Sequence, residues 1–111
     1  MDIDLNIEWV KVQLMVRKKF DEVLDMQSIL FIIGLQELGM NYQELKKEQK
    51  MDVIHIGVCT VLMPFGYYKK IGIDNEGWPH FKNKIKLSND LVGEQQELLM
   101  KKAIVKYFNL L

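Results

Sequence analysis

Glu48, Asp52, His55 and Cys59 follow one another at intervals of four, three and four residues. On an α-helix that spacing stacks the side chains along one stripe, with neighbouring Cβ atoms about 5–6 Å apart. An imidazole one turn from a thiol could lower the thiol pKa, and Asp52 could fix the imidazole tautomer, as an activated cysteine nucleophile requires. The same oxygen, nitrogen and sulfur donors suit zinc. Donors on a single helix do not close a four-ligand site, so a metal would draw on residues from elsewhere, and Glu37, His55, Cys59 and His80 are the candidate ligands. The structural alternative is a solvated stripe of Glu48 and Asp52, with Cys59 as a small core residue. Glu37 also has two readings: a buried carboxylate in need of a partner, or the exposed edge of a last helical turn.

A second concentration is aromatic. Tyr67, Tyr68, Trp78, His80 and Phe81 fall within fifteen positions. Tyr and Trp provide rigid, amphipathic contact area and are enriched at binding hot spots, so these five residues form the candidate binding surface. The alternative is a lid whose aromatics fold back onto the core. Lys69, Lys70, Lys82, Lys84 and Lys86 are interleaved with them. Bases among aromatics can hold single-stranded nucleic acid. Five lysines set against Asp74 and Glu76 make only a local patch, and a solvated surface is the preferred reading over a nucleic-acid site.

Helices must position these residues. From Asp4 to Phe20 two apolar stripes run side by side, Ile3, Ile7, Val10 and Leu14 in one and Leu5, Trp9, Val12, Val16 and Phe20 in the other. Both have helical spacing, Asp4 suits an N-cap, and Arg17, Lys18 and Lys19 suit a helix C-terminus. A second helix is predicted over Asp25 to Leu38, capped by Asp25 and stopped by Gly39. It is apolar nearly all round, which places it at the centre of the fold. Asn41 followed by Glu44 resembles a capping box and opens a third helix reaching Met63 before Pro64. The β-branched run Val53, Ile54, Ile56, Val58, Thr60 and Val61 makes a buried strand the rival there.

Residues 64–87 lose this periodicity, and Asp74-Asn75-Glu76-Gly77 is a turn signal between two apolar-aromatic runs, which fits a small hairpin or an ordered loop. Asn89 or Asp90 then caps a last helix to about Phe108, with Leu91, Leu98, Leu99, Ile104, Val105 and Phe108 on its inner face. The expected fold is mainly α: about four helices with a short hairpin or aromatic loop before the last, α+β being the alternative.

The chain has 111 residues, 49% of them hydrophobic and 27% charged, with fifteen acids balanced by fifteen bases. That composition excludes a disordered chain and predicts one domain spanning 1–111, with no general pull toward nucleic acid or anionic lipid. Residues 1–62 carry ten acids and seven bases and residues 63–111 five and eight, a −3/+3 asymmetry that could help copies pair head to tail. The acidic start Met1-Asp2-Ile3-Asp4 does not resemble a secretory signal. The longest apolar run, Ile29 to Leu35, is seven residues, against the roughly 20 that a membrane span needs. A lone cysteine points to a reducing compartment, and the cytoplasm is the expected location. No GxxxxGK[ST], GxGxxG, HExxH, CxxC or GxSxG pattern occurs, and no cofactor is expected.

His55-Ile56-Gly57-Val58-Cys59, Gly66-Tyr67-Tyr68 and Gly72-x-Asp74-x-x-Gly77-Trp78-Pro79-His80, with Phe31-Ile32-Ile33-Gly34-Leu35-Gln36-Glu37-Leu38-Gly39 before them, together resemble a group of small, uncharacterised bacterial proteins. The resemblance covers about the middle half of the chain, and Gly77-Trp78-Pro79-His80 is its most specific part. It implies a small, mainly helical cytoplasmic protein, directs attention to Glu37, His55, Trp78 and His80, and brings no activity with it. The expected function is that of a non-enzymatic interaction protein, self-associating as a homodimer or binding a protein partner. The alternative is a metal- or thiol-dependent site built from Glu37, His55, Cys59 and His80.

Overall fold

The computed structural model describes residues 3–21, 24–39, 45–85 and 94–109. Four helices and one hairpin follow in the order α1 (Ile3–Phe20), α2 (Met26–Leu38), α3 (Lys47–Leu62), a 3-10 turn at Met63–Phe65, β1 (Tyr68–Ile73), β2 (Pro79–Asn83) and α4 (Glu94–Asn109). The fold is therefore mainly α with a small antiparallel hairpin, and the expected elements are all present.

The ends of α2 are set by its sequence. The Asp25 carboxylate accepts a hydrogen bond from the Ser28 amide at 2.8 Å, and Gly39 closes the helix in the left-handed conformation, with φ 66°. Side-chain capping at one end and a left-handed glycine at the other satisfy backbone groups that the helix cannot pair internally. The start of α3 differs from expectation. Leu45 and Lys46 are not helical, and the helix begins at Lys47. Lys46 is extended, and its amide donates to the Gln49 side chain at 3.0 Å, so Gln49 supplies the capping contact. The expected capping box at Asn41 and Glu44 lies outside the described residues, as do the caps expected for α4 at Asn89 and Asp90. The β-branched second half of α3 is helical, since helix packing on both sides overrides a propensity that is only a weak prior.

One buried cluster joins the helices: Leu5, Trp9, Val12 and Val16 of α1, Ile29, Leu30 and Ile33 of α2, Val61 and Leu62 of α3, and Met100, Ala103, Ile104 and Val105 of α4. Of the two stripes on α1, the one containing Trp9 faces this core, although Phe20 at its end is exposed. On α4, Ile104 and Val105 are buried as expected, Leu98, Leu99 and Phe108 are half-buried, and Met100 and Ala103 complete the inner face. Leu91 lies outside the described residues.

Antiparallel α2 and α3 meet at two mid-helix glycines. A Cβ on Gly34 would overlap the Val53 carbonyl oxygen and lie 2.8 Å from Val53 Cγ1. A Cβ on Gly57 would overlap the Leu30 carbonyl oxygen and lie 3.0 Å from that carbonyl carbon. Each helix thus presents a glycine to the other's backbone, which brings the two main chains into direct contact. Among the described residues, every fully buried side-chain nitrogen or oxygen has a hydrogen-bond partner; the buried Thr60 hydroxyl donates to the Ile56 carbonyl at 2.7 Å. No helix formed by these residues is long and apolar enough to cross a membrane.

Candidate functional site

The hairpin that carries the aromatic residues is built around Asp74. The Gly77 amide donates to the Asp74 carbonyl at 3.0 Å, and the Asp74 amide donates to the Trp78 carbonyl at 2.9 Å. Gly77, at φ 86°, supplies the left-handed residue that a three-residue hairpin loop needs after its first turn. The Asp74 carboxylate then fastens the turn: Oδ1 accepts the amides of Glu76 at 2.9 Å and Trp78 at 3.0 Å, and Oδ2 lies 2.9 Å from His80 Nε2. The His80 contact, followed by the Trp78 amide, holds this carboxyl below the usual carboxylate range.

Because the folded carboxyl is more acidic than the unfolded one, Asp74 favours the hairpin at all pH values above the ordinary aspartate pKa of about 3.9, and that advantage fades as pH falls through the lower folded value. Asp74→Ala should leave the helices intact and speed exchange of the Trp78 and Gly77 amides at pH 7, because the carboxylate contacts that fasten the turn are lost. In the unmodified protein the same amides should lose protection below about pH 4, as proton-exchange NMR would record.

An isolated two-stranded sheet is marginal in water, so this one depends on its support. Tyr67 and Tyr68 are half-buried and pack against the core cluster, and Tyr68 meets His55 of α3 edge-on, with ring centroids 6.2 Å apart. Two of the five candidate binding residues therefore hold the hairpin down, as a lid would. Phe81 is half-buried opposite Lys70 in the strand register. Trp78 and His80 instead line an open groove of about 450 Å³ between the hairpin and α3. The α3 side of this groove is Gln49, Asp52, His55 and Ile56; the hairpin side is Asp74, Glu76, Trp78, Pro79 and His80. Lys69, Lys70, Lys82 and Lys84 are exposed around the hairpin, and Lys86 lies outside the described residues.

The α3 stripe divides along its length. Glu48, Asp52 and His55 are exposed, whereas Cys59 is completely buried. Cys59 Sγ lies 3.7 Å from His55 Nε2 and 3.9 Å from Nδ1. Burial nevertheless dominates the thiol and pushes it up to about 11, so it is protonated at neutral pH. Glu37 is at the exposed end of α2, where Tyr107 of α4 donates its hydroxyl to Glu37 Oε2 at 3.0 Å. Burial first, and then the Glu37 contact and charge, raise the Tyr107 hydroxyl above the ordinary tyrosine range. His55 and His80 line the groove together; Glu37 and Cys59 are not among its lining residues. Among the described residues, no three His, Cys, Asp or Glu side chains form a group that could hold a metal ion.

Gln49, Glu76 and Pro79 belong to the groove without having stood out in the sequence, and no pattern marks them: only the fold-back of the hairpin onto α3 brings them together. Asp74 was visible as a turn former, and its contact with His80 follows from the antiparallel register. A second concavity of about 310 Å³ lies on α2 and α3, with Phe31, Met51 and Ile54 as its apolar lining and Lys47 and Lys50 beside them. Comparison of the chain with protein-family models, with curated proteins and with solved structures finds no match.

Proposed function

We propose that the chain is a non-enzymatic interaction protein of the cytoplasm, one domain over 1–111, that acts as a homodimer and offers the α3–hairpin groove to a basic segment of a protein partner. The observation that carries this reading is the division of labour among the groove's carboxylates. Asp74 is fully engaged by its own turn. Asp52 and Glu76, one on each wall and both exposed, make no side-chain hydrogen bond or ion pair among the described residues, and the half-buried Trp78 and Pro79 line the same groove. An arginine or lysine side chain matches that chemistry, with its apolar stem along Trp78 and its charged head on a carboxylate. Among the described residues the groove lining contains no hydroxyl or thiol, and the one cysteine is buried and protonated, which favours binding over nucleophilic catalysis. The single cysteine of the whole chain supports the cytoplasmic assignment.

Titration of isotope-labelled protein with an acetylated, amidated arginine-rich hexapeptide tests the groove. The Trp78 indole and the amides of Asp52, His55 and His80 should shift with this peptide and stay still with its glutamate counterpart. Asp52→Asn combined with Glu76→Gln should weaken binding about tenfold, the equivalent of one charge-assisted hydrogen bond. A Trp78 indole that does not move, or that responds equally to the acidic peptide, would rule the reading out.

A further inference from the structure

The ionisable side chains that line the α3–hairpin groove are Asp52 and His55 on α3, and Asp74, Glu76 and His80 on the hairpin. No lysine or arginine is among the lining residues, so the two imidazoles are the lining's only sources of positive charge. Imidazole is the side chain that ordinarily changes its charge between pH 5 and 8, whereas carboxylates ordinarily titrate below that range. With both imidazoles neutral the three carboxylates stand uncompensated; with both protonated, one net negative charge is left.

Each imidazole is placed where its charge bears on a carboxylate. His80 Nε2 lies 2.9 Å from Asp74 Oδ2. His55 follows Asp52 by three residues on α3, a spacing at which opposite charges pair on a helix surface. Both imidazoles are exposed, so solvent protons reach them. The other groups around them hold their charge state in this range. Cys59, 3.7 Å from His55 Nε2, is pushed up to about 11 by burial. Tyr68, edge-on to His55, is raised above the ordinary tyrosine range, by burial first and then by Cys59. Lys82 stands two residues beyond His80 on the same side of β2, with Lys69 opposite it in the register, and lysine is ordinarily a cation throughout.

We propose that His55 and His80 are a proton-operated release for the basic segment held in this groove: neutral imidazoles leave Asp52 and Glu76 to the partner's cation, and protonated imidazoles take that cation's place. The proposal rests on the groove reading given above and deepens it by naming its regulation. On α3, a charged His55 pairs with Asp52 and competes for it directly. On the hairpin, a charged His80 neutralises Asp74 and sets a like charge beside the incoming arginine or lysine. Like charges about one helical turn apart near the surface repel enough to lower affinity roughly tenfold. By linkage the effect is reciprocal, so a bound cation makes both imidazoles harder to protonate.

Isothermal titration with the acetylated, amidated arginine-rich hexapeptide tests the release, since arginine stays charged at every pH used. At constant ionic strength the wild-type affinity should fall about tenfold between about pH 7.5 and pH 5.5. The double variant His55→Asn with His80→Asn, whatever its affinity at the higher pH, should change by less than about twofold over the same range. A second measurement uses the unmodified protein alone: saturating peptide should move the NMR titrations of the His55 and His80 ring protons to lower pH. Equal wild-type affinity at both pH values, the full loss retained in a folded double variant, or ring titrations that the peptide leaves in place would each overturn the proposal while the groove reading stands. A peptide that does not bind even at the higher pH overturns both.

Discussion

Gly57→Ala should lower the thermal unfolding midpoint by roughly 10 °C or more, from a net cost of about 2–3 kcal/mol. The direction is the informative part. At an exposed mid-helix position the same change would stabilise the protein by about 1 kcal/mol, because alanine is the better helix former. Here the added methyl group meets the backbone of Leu30, which has no rotamer to change. The only relief is to move α2 and α3 apart, and that opens gaps around Ile29, Ile33, Val53 and Leu62, all of them completely buried. Gly34→Ala should act in the same direction through Val53. The double substitution should cost less than the sum of the two, since one separation of the helices accommodates both methyl groups. Differential scanning calorimetry of the three variants checks this; a midpoint at or above the wild-type value for Gly57→Ala would show that the helices are not in backbone contact.

Cys59 should react with iodoacetamide at pH 8 at least about a hundredfold more slowly in the folded protein than in denaturant. A thiol raised to about 11 is ionised in only about one molecule per thousand at that pH, against roughly a quarter for an ordinary thiol with a pKa near 8.5. Complete burial adds an access barrier to this, so the measured rate reports how often α3 opens. The pH dependence has a definite sign. A thiol with a raised folded pKa favours the folded state below the unfolded value, and stability should fall as pH rises from about 8.5 toward 11. Rapid alkylation at neutral pH would mean that His55 activates the thiol after all, and would bring the thiol-dependent reading of the α3 stripe back to the front.

How much of this the sequence disclosed depends on whether a feature is local. The ends of α2 were legible because Asp25, Ser28 and Gly39 act within a few residues of the helix they bound. Both stripes of α1 were legible as well. Which of them faces the core was not, because helical periodicity marks faces without saying what covers them. The beginning of α3 was misplaced because a polar run between two helices supports extended and helical backbone almost equally, and the contact between Gln49 and the Lys46 amide settles it. Gly34 and Gly57 stood inside strong helical patterns, where an isolated glycine already signals a packing reason. Naming the carbonyl each one meets requires knowing that α2 and α3 run antiparallel with residue 34 level with 53 and residue 30 with 57. The groove was least legible, since Asp52 and Trp78 come to line one groove only through the fold-back of a hairpin whose existence was left open.

That hairpin has a consequence for the behaviour of the protein at high concentration. A sheet of two strands leaves the outer edge of each free to recruit a strand from another molecule, which is how soluble proteins begin to polymerise. Here the sheet interrupts its own edges. Pro79, at the start of β2, has no amide to offer, and the register shift between Lys70 and Gly72 bends β1 out of line. Lys69 and Lys82 face each other across the ladder, a pairing that weakens the hairpin slightly but gives any incoming copy like charge to overcome. Among the described residues Ile71 and Ile73 are exposed on β1, and these interruptions of the edge work against the addition of a further strand beside them.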